Sequence, residues 1–161
     1  MTQTDLIFTA ILSLLPISEL RGAIPYALAK KADPLFAYIY CVGFNMLVAP
    51  LFYFFIATFH RLFTRFSWYN IIFEKLVVKT RNKVKSNIEK FGYIGIMLFV
   101  AVPLPVTGAY TGTMGAWVLG LGKRKTMLAV SAGVAIAGII VSLVAFFGVE
   151  TFSFLTKKVS V

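Results

Sequence analysis

Four apolar stretches, residues 6–29, 34–60, 91–122 and 126–149, dominate this 161-residue chain. Each is at least as long as the roughly 20 residues that a helix needs to cross a bilayer. The stretch 34–60 reads as a spanning helix. It has Asp33 as N-cap, Pro34 at its first position, Asn45 as its only strongly polar residue and Pro50 as a kink point. The stretch 126–149 reads as a second spanning helix. Ala129, Gly133 and Ala137 lie four apart on one face, a stripe that permits close packing either within the chain or across a homodimer.

The other two stretches read as broken. Pro16, Gly22 and Pro25 surround Glu19 and Arg21 in the first; the third holds Pro103, Pro105 and glycines at 108, 112, 115, 120 and 122. Proline removes a backbone hydrogen bond and clashes with the preceding turn, and non-helical backbone persists at membrane depth only where protein or water covers it. Residues two apart point to nearly opposite sides of a helix, so Glu19 and Arg21 could face each other only at a non-helical tip.

Composition agrees with a membrane protein. Charged residues make up 14% against the usual 25% or so, and 59% are hydrophobic, with a mean hydropathy of +0.85. The net charge of +10 sits in the loops, which points to membrane topology and anionic lipid and away from nucleic acid. The linker 61–90 carries +6 and residues 123–125 carry +3. Both belong in the cytoplasm, which requires the stretch 91–122 to enter and leave by one face. Treating 6–29 in the same way puts both termini outside and leaves +1 there against +9 inside.

The expected fold is therefore all-α and membrane-integral, a single domain at residues 1–161 of an inner (plasma) membrane, multi-pass protein. Re-entrant hairpin 6–29 and transmembrane helix 34–60 are repeated in inverted sense by hairpin 91–122 and helix 126–149, across a basic cytoplasmic linker. Arg21-Gly22-Ala23 and Thr107-Gly108-Ala109 suggest an offset of 86 residues between the repeats. Phe73, Val77, Val84, Ile88 and Phe91 give the linker an amphipathic face, fit for anionic lipid, and Trp68-Tyr69 suit the headgroup zone. Ala27-Leu28-Ala29 resembles a signal-peptide cleavage site, but the charges upstream argue against one.

A carboxylate and a guanidinium at membrane depth each cost about 2.5–3.5 kcal/mol on insertion scales, so Glu19 and Arg21 are the first candidate site residues. One reading is a neutralised pair that fixes the tip; the other is that Arg21 binds an anionic group while Glu19 exchanges a proton. A half-helix restarting near Thr107 would aim its positive dipole end at the same depth, which brings in Pro105, Thr107, Thr111 and Thr113, with Asn45 as a wall residue. Cys41 reads as a packed residue and His60 as an interfacial one. There is no nucleophile–base pair and no metal cluster, so neither enzymatic activity nor a cofactor is expected.

Residues 16–25, Pro-Ile-Ser-Glu-Leu-Arg-Gly-Ala-Ile-Pro, and 103–112, Pro-Leu-Pro-Val-Thr-Gly-Ala-Tyr-Thr-Gly, resemble the putative small multi-drug export protein family. More distantly the chain is similar to the DedA or SNARE-associated Golgi superfamily. That similarity implies two opposed re-entrant hairpins, lipid carriers and scramblases among the members, an acid in the first hairpin (met by Glu19) and arginine in the second, where this chain has none between Lys90 and Lys123. The expected function is transport, proton-coupled, of a small lipophilic molecule or anionic lipid-like substrate through a site between the hairpins. The competing class is a non-transporting assembly or lipid-organising factor.

Overall fold

The computed structural model describes residues 1–63, 75, 91–104 and 107–159. All the secondary structure among them is helical: α1 (Gln3–Leu14), α2 (Glu19–Ala29), α3 (Pro34–Met46), α4 (Val48–Phe63), α5 (Phe91–Ala101), α6 (Ala109–Val118) and α7 (Lys123–Val159). The linker expected at 61–90 lies outside the described residues apart from Lys75 and the end of α4 at 61–63. The chain divides into two compact units, Met1–Asn45 with Ala135–Val161, and Met46–Val134.

Two helical segments are long and apolar enough to cross a membrane, Pro34–Phe63 at 30 residues and Lys123–Gly148 at 26. Their lengths are about 45 and 39 Å, against a hydrocarbon core of about 30 Å. The expected helix 34–60 is divided at Leu47 into α3 and α4. Pro50 explains the break, because it cannot donate to the carbonyl of Met46 and its ring crowds that turn.

In the first unit, α1 and α2 form a hairpin. Thr2 and Asp5 make a capping box that starts α1: the Thr2 hydroxyl accepts from Asp5 N at 3.3 Å and the Asp5 carboxylate accepts from Thr2 N at 3.0 Å. Asp5 also closes the open end of the hairpin, 3.1 Å from Lys30 Nζ and accepting from Tyr26 Oη at 3.2 Å. The Thr2 backbone N–H, then the Thr2 hydroxyl and Lys30, hold the Asp5 carboxyl well below the usual carboxylate range; Asp5 in turn pushes the Lys30 ammonium up.

The contribution of Asp5 is therefore present above its ordinary pKa near 4 and lost as pH falls through its depressed value. That of Lys30 is present below about 10.4 and lost as pH rises through its raised value. Amide protection in the first turn of α1, corrected for intrinsic exchange, should stay flat between about pH 5 and 10 and collapse only outside that window. A transition near neutrality would contradict this assignment.

The turn at 15–18 forms the closed end, held by Ser18 N and Glu19 N, both donating to Leu15 O at 3.2 and 2.9 Å. Glu19 and Arg21, expected at a non-helical tip, instead open α2, and Pro25 sits inside that helix without ending it. α3 is tied to its neighbours by polar groups. Tyr40 Oη donates to Leu6 O at 3.1 Å, Asn45 Nδ2 to Ser13 O at 2.7 Å, and Tyr38 Oη to Ala135 O of α7 at 3.2 Å. Such bonds, with close packing of small residues, replace the hydrophobic drive that helices lack when their surroundings are apolar.

In the second unit, residues 102–104 follow α5 and 107–108 precede α6, and α4 lies on α6 through Phe52 against Tyr110 at 4.8 Å and His60 against Trp117 at 5.0 Å. α7 packs on α5 at Gly133, where an added Cβ would stand 2.6 Å from Met97 O and 2.7 Å from Val100 Cβ. The stripe of small residues is thus used inside the chain, with Ala129, Gly133 and Ala137 all buried. Large apolar side chains lie outside instead: Ile17 is 95% exposed, Leu128 72%, Phe54 69% and Val144 69%. Small residues within and large apolar ones without suit an apolar surrounding; a soluble monomer seldom exposes so much apolar surface.

The two hairpins are alike in local detail. Each ends in a Schellman motif: Lys31 N bonds Leu28 O and Ala32 N bonds Ala27 O after α2, while Gly120 N bonds Trp117 O and Leu121 N bonds Ala116 O after α6. Pro34 then opens α3 as Lys123 opens α7. The starts and ends of α2 and α6 and the starts of α3 and α7 thus lie 89–90 residues apart, and those of α1 and α5 87–88 apart, close to the expected offset of 86. The motif calls for a left-handed residue, which Gly120 supplies freely at φ 69°; Lys31 adopts φ 58° at a cost of about 1–2 kcal/mol. With 10 to 12 residues each, α1, α2, α5 and α6 are about 15–18 Å long, too short to cross a 30 Å core.

Candidate functional site

The closed end of the first hairpin gathers buried polar groups. Along α1, Thr9 Oγ1 donates to Asp5 O at 2.7 Å and Ser13 Oγ to Thr9 O at 2.9 Å, so one turn's hydroxyl is satisfied by the backbone of the turn before. Ser13 O in turn accepts from Asn45 Nδ2. A carbonyl can only accept, so this bond fixes the amide orientation and turns Asn45 Oδ1 the other way. Oδ1 is fully buried and has no hydrogen-bond partner. Leaving such an acceptor unpaired costs about 1–3 kcal/mol, a cost that a bound donor would remove.

Glu19 stands at the same end. It is only 9% exposed, and its backbone is left-handed at φ 45°. A non-glycine residue there stores about 1–2 kcal/mol of strain, and such strain collects where function over-determines the backbone. Ser18, preceding it, makes no side-chain cap to α2, and its buried Oγ has no partner. Arg21 follows on α2, half-buried. The first unit thus combines a buried acid, an arginine and two unsatisfied oxygens, Asn45 Oδ1 and Ser18 Oγ.

The second unit holds the other candidates. Pro105 lies outside the described residues. The Thr107 hydroxyl ties back to the residues that follow α5, reaching Val102 O at 2.6 Å and Leu104 O at 2.8 Å and accepting from Leu104 N at 3.1 Å. The expected half-helix does restart, at Ala109, with Gly108 as its N-cap residue. Thr111 Oγ1 donates to Gly108 O at 3.3 Å and Thr113 Oγ1 to Ala109 O at 2.6 Å. These hydroxyls serve their own backbone first, and only their acceptor lone pairs are left for a ligand.

A family model described as putative small multi-drug export protein matches residues 19–140, three-quarters of the chain. The chain belongs to that family. Neither a curated protein nor a solved structure matches it. The family match starts at Glu19 and takes in all seven candidate residues, Glu19, Arg21, Asn45, Pro105, Thr107, Thr111 and Thr113. The export family and the two long apolar segments together point to a membrane location.

Thr9 and Ser13 were not among the sequence candidates. Their signal was present in the spacing: Asp5, Thr9 and Ser13 recur every four residues along an otherwise apolar helix. Thr126, on α7, is likewise fully buried with its hydroxyl unpartnered; as the boundary residue of a long apolar run it carried no such pattern.

Proposed function

We propose that this protein is a transporter of an inner, plasma-type membrane that moves a lipophilic or anionic lipid-like substrate, with Glu19 exchanging a proton and Arg21 binding the anionic group. The observation that carries this reading is the buried, left-handed Glu19 at the closed end of a hairpin, in the same unit as the unsatisfied Asn45 Oδ1. An empty buried acceptor is costly unless a ligand uses it, and an acid within an apolar run marks a functional position. The description of the family as multi-drug export supports transport.

Both hairpins re-enter the membrane in this reading and the two repeats are inverted, an arrangement that builds midplane sites from discontinuous helices. The lengths of α1, α2, α5 and α6 and the matching Schellman ends support re-entry and repetition; the distant similarity to the DedA superfamily belongs to the same reading. The basic residues at 123–125 then face the cytoplasm and Lys30 faces outward. Single cysteines replacing Lys30 and Lys123, in a Cys41→Ser background, should be labelled by a membrane-impermeant maleimide from opposite sides. Labelling from the same side would overturn re-entry.

The transport assignment is tested in liposomes loaded in turn with lipophilic cations and labelled anionic lipids, with Glu19→Gln and Arg21→Ala beside the wild type. Proton-dependent movement that both variants lose is the expected result. No movement of either substrate, or folded variants as active as wild type, would leave the non-transporting lipid-organising class standing.

A further inference from the structure

The open end of the first hairpin carries a feature that the transport reading does not use. Met1, Leu6, Lys31, Ala32, Asp33 and Phe36 line an open cleft of about 280 Å³. Two of the six are charged and opposite in sign, yet they do not pair: Lys31 has no ion-pair partner among the described residues, and Asp33 spends only Oδ1, which accepts from Phe36 N at 3.0 Å to cap α3. The neighbouring cation is committed elsewhere, since Lys30 is bound to Asp5. Lys31 is also held in a left-handed conformation at a position where the second hairpin has Gly120. A lysine kept where glycine would be the relaxed choice has a reason to be there beyond the turn.

We propose that this cleft binds the headgroup of a zwitterionic phospholipid bearing a primary ammonium, with the phosphate on Lys31 and the ammonium on Asp33. The charge arrangement is complementary to such a headgroup: a cation and an anion stand two residues apart on one rim with neither neutralised by the other. The remaining lining, Met1, Leu6, Ala32 and Phe36, is apolar, and exposed Leu35 lies next to Phe36 along the chain, so the acyl chains have apolar surface to follow. A free zwitterion would gain nothing from these walls, which is why the lipid is favoured over its soluble headgroup. Ammonium-to-carboxylate hydrogen bonds also separate this headgroup from a quaternary choline, which has no N–H to donate.

The test is native mass spectrometry of the detergent-solubilised full chain, titrated with short-chain phosphatidylethanolamine, phosphatidylcholine and phosphatidylglycerol, and with soluble phosphoethanolamine. One phosphatidylethanolamine should bind at least tenfold more tightly than either other lipid. Lys31→Gly should remove that site while raising Tm by about 2–4 °C, because it relieves the backbone; Lys31→Arg should keep the site. Asp33→Asn, which preserves the N-cap, should abolish the preference for phosphatidylethanolamine over phosphatidylglycerol. Equal binding of all three lipids, an undiminished site in Lys31→Gly, or soluble phosphoethanolamine binding as tightly as the lipid would each overturn the proposal.

Discussion

Gly133→Ala should lower Tm by roughly 6–12 °C, corresponding to a loss of about 3 kcal/mol. The added Cβ would stand 2.6 Å from Met97 O and 2.7 Å from Val100 Cβ, and neither atom can swing away as the end of a flexible side chain can. In apolar surroundings helix association depends on this kind of close approach, because there is little hydrophobic drive to compensate for a lost contact. Gly115→Ala is the control: nothing lies within 4 Å of its added Cβ, and alanine favours the interior of α6, so Tm should rise by about 2–4 °C. Thermal unfolding of both variants in one detergent checks the pair. A Gly133→Ala protein as stable as wild type would mean that α7 does not pack on α5 as described.

The larger functional effect is expected at Glu19. Glu19→Gln keeps the size of the side chain, exchanges one acceptor oxygen for an amide donor and removes its ability to ionise, so the protein should fold and lose proton-driven transport at least tenfold. Glu19→Gly separates stability from activity in the opposite sense. It relieves the φ 45° backbone and should stabilise the protein by about 1 kcal/mol while leaving it inactive. A residue that is better for folding as glycine and better for function as glutamate carries its strain for function. The pH-insensitivity expected of Asp5 and Lys30 matters here, since it assigns any transition of transport near neutrality to another group.

Much of the fold was legible because its signals are local. Asp33 and Pro34 start α3 as the sequence indicates: Asp33 Oδ1 accepts from Phe36 N, and Pro34 is the first residue of the helix. Pro16 lies in the turn between α1 and α2, and the break at Leu47 follows from Pro50. Pro25 misled in the other direction; tertiary packing of Ala23, Ile24 and Ala27, all essentially buried, carries α2 through it. The offset of 86 came from a Gly-Ala match, whereas the likeness of the two hairpins lies in hydrogen-bonded helix ends at 31 and 120, which have no common residue type. Glu19 was visible as a charge in an apolar run. The orphaned Asn45 Oδ1 was not, because it depends on which backbone carbonyl, that of Ser13, occupies the amide nitrogen.

The central claim, that Glu19 couples a proton to substrate movement, is tested most directly by comparing two modes in the same liposomes. One is uptake driven by an imposed pH gradient; the other is exchange of labelled for unlabelled substrate with no gradient. The account predicts that Glu19→Gln loses the driven uptake and retains the exchange, since the site persists and only its proton is gone. Gradient-driven uptake by Glu19→Gln at the wild-type rate would contradict it.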